Sequence, residues 1–88
     1  MQIIIRKSFV KDISKISDNA EIPAILECIK FTGETNRISE IKNIKKLSGG
    51  ISCYRIRVGK YRLGVIIKGS TIEFIRALPR KDIYKVFP

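Results

Sequence analysis

Histidine is absent from this 88-residue chain. That excludes histidine general acid–base chemistry, histidine-activated nucleophiles and histidine metal ligands. Cysteine occurs twice, as Cys28 and Cys53, and the pair has no metal-ligand spacing. One falls on an expected helix and the other at a strand start. Both read as buried free thiols of a reducing cytoplasm, so neither a metal nor another cofactor is expected. No apolar run approaches the ~20 residues that span a bilayer. Ile3-Ile4-Ile5 is too short for a secretory signal core and runs directly into charge. A cytoplasmic protein without a membrane partner is therefore expected.

Acidic residues are also scarce. Eight stand against 18 Lys and Arg, a formal net charge of +10. The excess is uneven: residues 1–53 carry nine basic and six acidic residues, and residues 54–88 carry nine and two. Such a balance favours nucleic acid, an acidic protein or an anionic surface as partner, with the C-terminal segment as the contact region. Hydrophobic content of 44% is that of a folded chain. The length suits one small domain, residues 1–88, with a modest core.

The most informative stretch is Tyr54 to Leu63. Tyr54, Ile56 and Val58 alternate with Arg55 and Arg57, the period of a half-buried strand. Gly59-Lys60 suits a two-residue type II′ loop. That loop pairs Val58 with Tyr61, Arg57 with Arg62, and Arg55 with Gly64. Three guanidiniums then share one face beside a glycine that leaves open space, and the opposite face is apolar. Like charges across a strand pair repel. An anion between them removes the penalty, and the guanidinium fork matches phosphate bidentately. A solvated face would explain any one of these arginines; three on one hairpin favour a phosphate-binding face.

The remaining chain reads as an α+β domain, order β-α-α-β-β-β with a short tail. Residues 2–6 form a β-branched strand whose isoleucine triplet suggests burial on both faces, hence an inner strand. Ser8 is a candidate N-cap for a helix through residue 17, with Phe9, Ile13 and Ile16 inward and Lys7, Lys11 and Lys15 on a solvated face. A second helix starts near Asp18-Asn19 and carries Pro23 and Glu21 in its first turn. Its stripe is Ile22, Ile25, Leu26 and Ile29, and Gly33 ends it. The two helices form a hairpin on one face of an antiparallel sheet. In residues 34–50, Ile38, Ile41 and Ile44 read either as a helical turn or as a loop lending side chains to the core. Lys45-Lys46-Leu47 begins a strand, and Ser48-Gly49-Gly50 signals a turn. Strands follow near 52–58, 61–68 and 71–77. A tight hairpin at Lys68–Thr71 places Arg76 on the core face, so Arg76 is either at the rim or the register slips by one. Ile83, Val86 and Phe87 can dock the tail as one helical turn, leaving Arg80, Lys81 and Tyr84 near the arginine hairpin.

Two uses of such a basic face are open. One is RNA or DNA binding through phosphate neutralisation. The other is cleavage of RNA by its own 2′-hydroxyl. That reaction needs a base, cations around the scissile phosphate and an acid for the leaving 5′-oxygen, and no metal, because the nucleophile is already in the substrate.

Tyr-Arg-Ile-Arg-Val-Gly-Lys-Tyr-Arg-Leu at 54–63 and Ile-Arg-Ala-Leu-Pro-Arg-Lys-Asp-Ile-Tyr at 75–84 resemble the RelE/ParE superfamily of toxins from type II toxin–antitoxin modules. Ser-Phe-Val-Lys-Asp near the N-terminus and Lys-Lys-Leu-Ser-Gly before the hairpin are similar to it too. The resemblance implies a microbial RNase-like fold, with a twisted antiparallel sheet, two helices on one face and a basic concavity on the other. For the RelE branch it implies ribosome-dependent mRNA cleavage to a 2′,3′-cyclic phosphate and a 5′-hydroxyl. Arg55 and Arg57 match the two basic residues of the penultimate hairpin, Arg62 its arginine, and Arg80 or Lys81 the basic residue after the last strand. Tyr84 or Phe87 matches the tail aromatic. These are the candidate catalytic residues, apart from Phe87. Phe87 stacks on a base, and Lys45, Lys46, Lys60, Arg76 and Lys85 are further RNA-binding candidates beside ribosome-bound mRNA and rRNA. Many relatives have His-Arg where this chain has Pro79-Arg80, a departure that bears on cleavage and not on the fold. The ParE branch implies DNA gyrase inhibition instead, and a third reading is an inactive member that keeps its partner. Every reading implies a cognate antitoxin that folds on the toxin through an acidic or amphipathic segment.

Overall fold

A computed structural model describes residues 1–49 and 52–88. The elements run β1 (Gln2–Ile5), α1 (Lys7–Ser14), α2 (Glu21–Glu34), a 3₁₀ turn (Ile38–Glu40), β2 (Ile44–Lys46), β3 (Cys53–Val58), β4 (Tyr61–Lys68), β5 (Thr71–Pro79) and α3 (Arg80–Val86). They make one five-stranded sheet in the order β1-β5-β4-β3-β2. β1 runs parallel to β5, and the other pairs are antiparallel. Of the expected Ser48-Gly49-Gly50 turn, Gly50 lies outside the described residues.

The core forms where α1 and α2 cover one face of the sheet. Phe9, Ile16, Ile25 and Ile41 meet Ile56, Leu63, Val65, Ile67, Ile72, Phe74 and Ala77. Phe9 meets Phe74 edge-on, with ring centroids 5.4 Å apart, an arrangement favoured by the ring quadrupoles. Ile41 enters this core from the end of the 3₁₀ turn, so the segment joins a short turn with a loop that lends a side chain. Lys7, Lys11 and Lys15 are exposed, as a solvated stripe should be. On α2, Leu26 is exposed, and the inward positions are Ile22, Ile25, Cys28, Ile29 and Thr32. Gly33 lies inside α2 and does not terminate it. A Cβ there would come within 2.8 Å of Ile3 Cδ1, so the glycine lets β1 approach the helix.

The β3–β4 register is the expected one, with Val58 opposite Tyr61, Arg57 opposite Arg62 and Arg55 opposite Gly64. Gly59 takes φ +57°, the left-handed value that the first central residue of a II′ turn requires. Two further expectations fail. First, β1 is an edge strand, not an inner one. Ile3, Ile4 and Ile5 are 37%, 38% and 40% exposed, because β5 is the one strand that β1 pairs with among the described residues. An apolar triplet alone does not distinguish a central strand from an edge. Second, Ser8 does not cap α1. The cap position is Arg6, and the Ser8 hydroxyl donates to the Ile75 carbonyl at 2.5 Å.

That hydrogen bond explains the last strand. Phe74 pairs with Val65 and Arg76 with Gly64, so Ile75 is one residue too many and β5 bulges there. The slip in register near Arg76 is therefore real. Pairing of β1 with β5 stops at Phe74, and beyond it α1 side chains satisfy the open edge. Asp12, buried, accepts the Ala77 backbone N–H at 2.9 Å, Arg76 Nε at 2.7 Å and Arg76 Nη2 at 3.1 Å. Hydrogen bonding to Asp12 raises the Arg76 pKa further above its ordinary value. Arg76 is thus a structural cation, bound at the open edge of β5 by a carboxylate of α1 and not among the cations of the arginine cavity. Asp12→Ala should destabilise the fold by about 2–3 kcal/mol in urea unfolding, since it strands a half-buried cation and a buried backbone donor. Asp12→Asn should cost less, because its amide oxygen still accepts the Ala77 N–H.

Candidate active site

The face of the sheet opposite the core is covered at one end by α3. Ile83 and Phe87 are buried there, apart from the main core. The Phe87 ring packs on Gly64, so closely that a Cβ on residue 64 would lie 2.7 Å from ring carbons. The space expected beside Gly64 is therefore filled. Phe87 anchors the tail and does not stack on a base. What the sequence read as one docked turn is a seven-residue helix.

Docking α3 brings Arg80 and Tyr84 against the arginine hairpin. A cavity of about 450 Å³ is lined by Asn43, Ile44, Lys45, Arg55, Arg57, Arg62, Arg80 and Tyr84. No carboxylate lines it. Each guanidinium is held by a neutral group. The Arg55 guanidinium carbon lies 4.5 Å from the centroid of the Tyr84 ring, a cation–π distance. Arg80 Nε donates to the Tyr84 hydroxyl at 3.2 Å. Arg62 Nη1 donates to the Gly59 and Tyr61 carbonyls, both at 3.1 Å. Arg57 Nη2 donates to Asn43 Oδ1 at 3.0 Å. Neutral acceptors orient the cations and leave their charge available to an anion.

These cations act on Tyr84. The Arg80 hydrogen bond lowers its phenol pKa below the ordinary value, desolvation opposes it, and the charges of Arg55, Arg80 and Arg62 lower it further. Tyr84 is the group with a resolved pKa shift in this cavity, and it is exposed to whatever enters.

The cavity gathers Arg55, Arg57, Arg62, Arg80, Tyr84 and Lys45. Lys81 stands beside it, sharing a surface recess with Pro79, Arg80 and Tyr84. Lys46 is paired with Tyr54, one step along β2 from Lys45, so it faces the other side of the sheet. Lys60 is exposed at the hairpin tip, and Lys85 is exposed on α3; neither lines the cavity. Pro79 pairs with Tyr61 at the end of β5 and hands the chain to Arg80, the first residue of α3. Asn43 was not singled out from the sequence. Its one signal was an asparagine just before a strand, where a left-handed residue is tolerated; it takes φ +61°. Cys28 is a free thiol whose pKa burial pushes up to about 11.

A curated toxin, RelE3 of Methanocaldococcus jannaschii, is 39% identical over 89 aligned positions spanning the whole of both chains. The chain belongs to the RelE toxin family. A solved RelB–RelE antitoxin–toxin complex from Methanococcus jannaschii contains a chain that superposes with a TM-score of 0.81 at 38% identity. It covers 97% of this chain and 99% of that one. The archaeal RelE–RelB complex from Pyrococcus horikoshii OT3 has the same fold, with a TM-score of 0.72 at 24% identity over 90% of this chain and 93% of that one. No family model matches the chain. That full-length relative is a RelE toxin, and nothing in these comparisons favours the ParE branch.

Two outcomes follow from this geometry. In an ultraviolet pH titration of the phenols, Arg80→Met should move the Tyr84 transition to higher pH, because removing the donor and its charge destabilises the phenolate. Gly64→Val should expel the Phe87 ring and undock α3, read as faster tryptic cleavage at Lys85 and a loss of about 1–3 kcal/mol in unfolding.

Proposed function

We propose that this RelE-family chain is the toxin of a toxin–antitoxin pair and that it cleaves ribosome-bound messenger RNA through the 2′-hydroxyl of the substrate. The observation that carries this reading is the cavity of about 450 Å³, where four guanidiniums converge with no carboxylate among the lining residues. The 2′-oxygen attacks the adjacent phosphorus and the bond to the 5′-oxygen breaks. A 2′,3′-cyclic phosphate and a 5′-hydroxyl remain, and no atom from the protein enters the product.

Negative charge grows on the non-bridging oxygens during attack, and Arg55, Arg57 and Arg62 stabilise it. Their partners are in place beforehand, so little reorganisation accompanies the step. Tyr84 is the proton carrier. Its hydroxyl, oriented by the Arg80 hydrogen bond, relays the 2′-hydroxyl proton to solvent, and the Arg80 interaction that lowers its pKa favours that transfer. Arg80 and the nearby Lys81 stabilise the departing 5′-oxygen, which takes a proton from solvent water as it leaves. The exposed Lys45, Lys60 and Lys85 add phosphate contacts along the RNA and rRNA, a contribution that salt weakens. The ribosome supplies substrate alignment that a shallow, open site does not. A cognate antitoxin with an acidic or amphipathic segment suits the net charge of +10, and relatives have been solved as RelB–RelE complexes.

The test is to induce the chain alone in bacteria and map transcript 5′ ends, beside a gyrase supercoiling assay. Cuts in translated messages are expected, reduced about 100-fold or more by Arg62→Ala, the scale of losing one transition-state donor. Intact transcripts with blocked supercoiling would overturn the reading in favour of a gyrase inhibitor, and a chain that binds antitoxin without arresting growth would overturn it in favour of an inactive member.

A further inference from the structure

Arg57 stands between two spaces. It lines the arginine cavity and also a groove of about 510 Å³ on the α2 side, whose charged lining residues are Glu27 and Glu34 together with Lys30 and Lys42. An exposed arginine at such a boundary can turn toward a phosphate on one side or toward two carboxylates, which share their groove with two lysines, on the other. Asn43 lines both spaces as well. It grips Arg57 twice. Its backbone carbonyl accepts the Arg57 main-chain N–H at 3.0 Å, and its Oδ1 accepts from Nη2 at 3.0 Å. A guanidinium only donates, so the amide oxygen must be the atom that faces it.

We infer that Asn43 is a positioning residue: it holds the Arg57 guanidinium on the cavity side and away from Glu27 and Glu34. The inference rests on the nuclease reading for its consequence and on geometry for its substance. A neutral amide suits the task. An aspartate would hold Arg57 equally well but cancel the charge the phosphate needs. The left-handed backbone at residue 43 also explains why asparagine serves there, being among the few non-glycine residues that adopt it readily.

The decisive variant is Asn43→Gly, which keeps the left-handed backbone accessible and deletes the side chain. Cleavage of ribosome-bound message should fall about tenfold in kcat, with KM little changed, since Arg57 is charged with transition-state stabilisation. Adding Glu27→Gln and Glu34→Gln to that variant should restore most of the loss. In an Arg57→Ala background, Asn43→Gly should change the rate less than about twofold. A full tenfold effect in that background, or no rescue by the two glutamines, overturns the inference. A second readout is the Arg57 Nε–H NMR signal during titration with inorganic phosphate. Weaker binding in Asn43→Gly supports the inference even if the wild type leaves messages intact, a result that would sink only the nuclease reading. Identical phosphate titrations in both proteins overturn it.

Discussion

Four guanidiniums share a small space with no carboxylate among the residues that line it, and that is the constraint to which the rest of the molecule answers. A carboxylate beside each would relieve the repulsion most directly. This chain uses the face of Tyr84, its hydroxyl, two turn carbonyls and an asparagine amide instead. These fix direction through dipoles and a ring quadrupole, and they leave the full positive charge in place. The residual strain is electrostatic, and it includes the pair in which Arg57 lies directly across from Arg62.

Carboxylates are present, but the fold spends them on its helical side and edges. Asp12 closes the open edge of β5 and binds Arg76. Glu73 pairs with Arg6 where β1 meets β5, at 2.5 Å. Glu40 accepts from Thr35 and from the Asn36 backbone, which lowers its pKa. Arg76 follows Gly64 in register, yet its charge is absorbed by α1. The bulge at Ile75 takes Arg76 off the core face, and the end of the β1 pairing leaves an open edge around which its side chain reaches Asp12. The same strand then resumes its register, with Ala77 opposite Leu63 and Leu78 opposite Arg62, and delivers α3 to the concave side.

Much of this was legible in the residues. Strict alternation in Tyr54–Val58 and a Gly-X turn specify the hairpin to the residue, because a one-residue slip would invert every side chain. The long-range features were harder to read. Whether β1 is central or at an edge depends on a parallel pairing with β5, some seventy residues distant, and its three isoleucines fit either place. The bulge was visible only as a misplaced Arg76. Phe87 looked like a stacking aromatic because nothing local reveals that Gly64 makes a seat for its ring. Asn43 was passed over since its importance comes from a backbone angle and from the neighbour it faces across β3, neither of which a short polar residue advertises. The family resemblance supplied Arg80 and Tyr84 as partners; local patterning only placed them near the hairpin.

The wall of the cavity is assembled from two sources of unequal solidity. Arg55, Arg57 and Arg62 stand on paired strands, whereas Arg80 and Tyr84 ride on a helix of seven residues, too short to persist in water by itself. Its attachment depends on Ile83 and Phe87. Whatever anion bridges the two halves therefore also acts as a clasp, because occupancy and helix attachment are thermodynamically linked and each favours the other by mass action. Affinity for such a guest and firmness of the C-terminal segment are, in this architecture, one quantity measured from two ends.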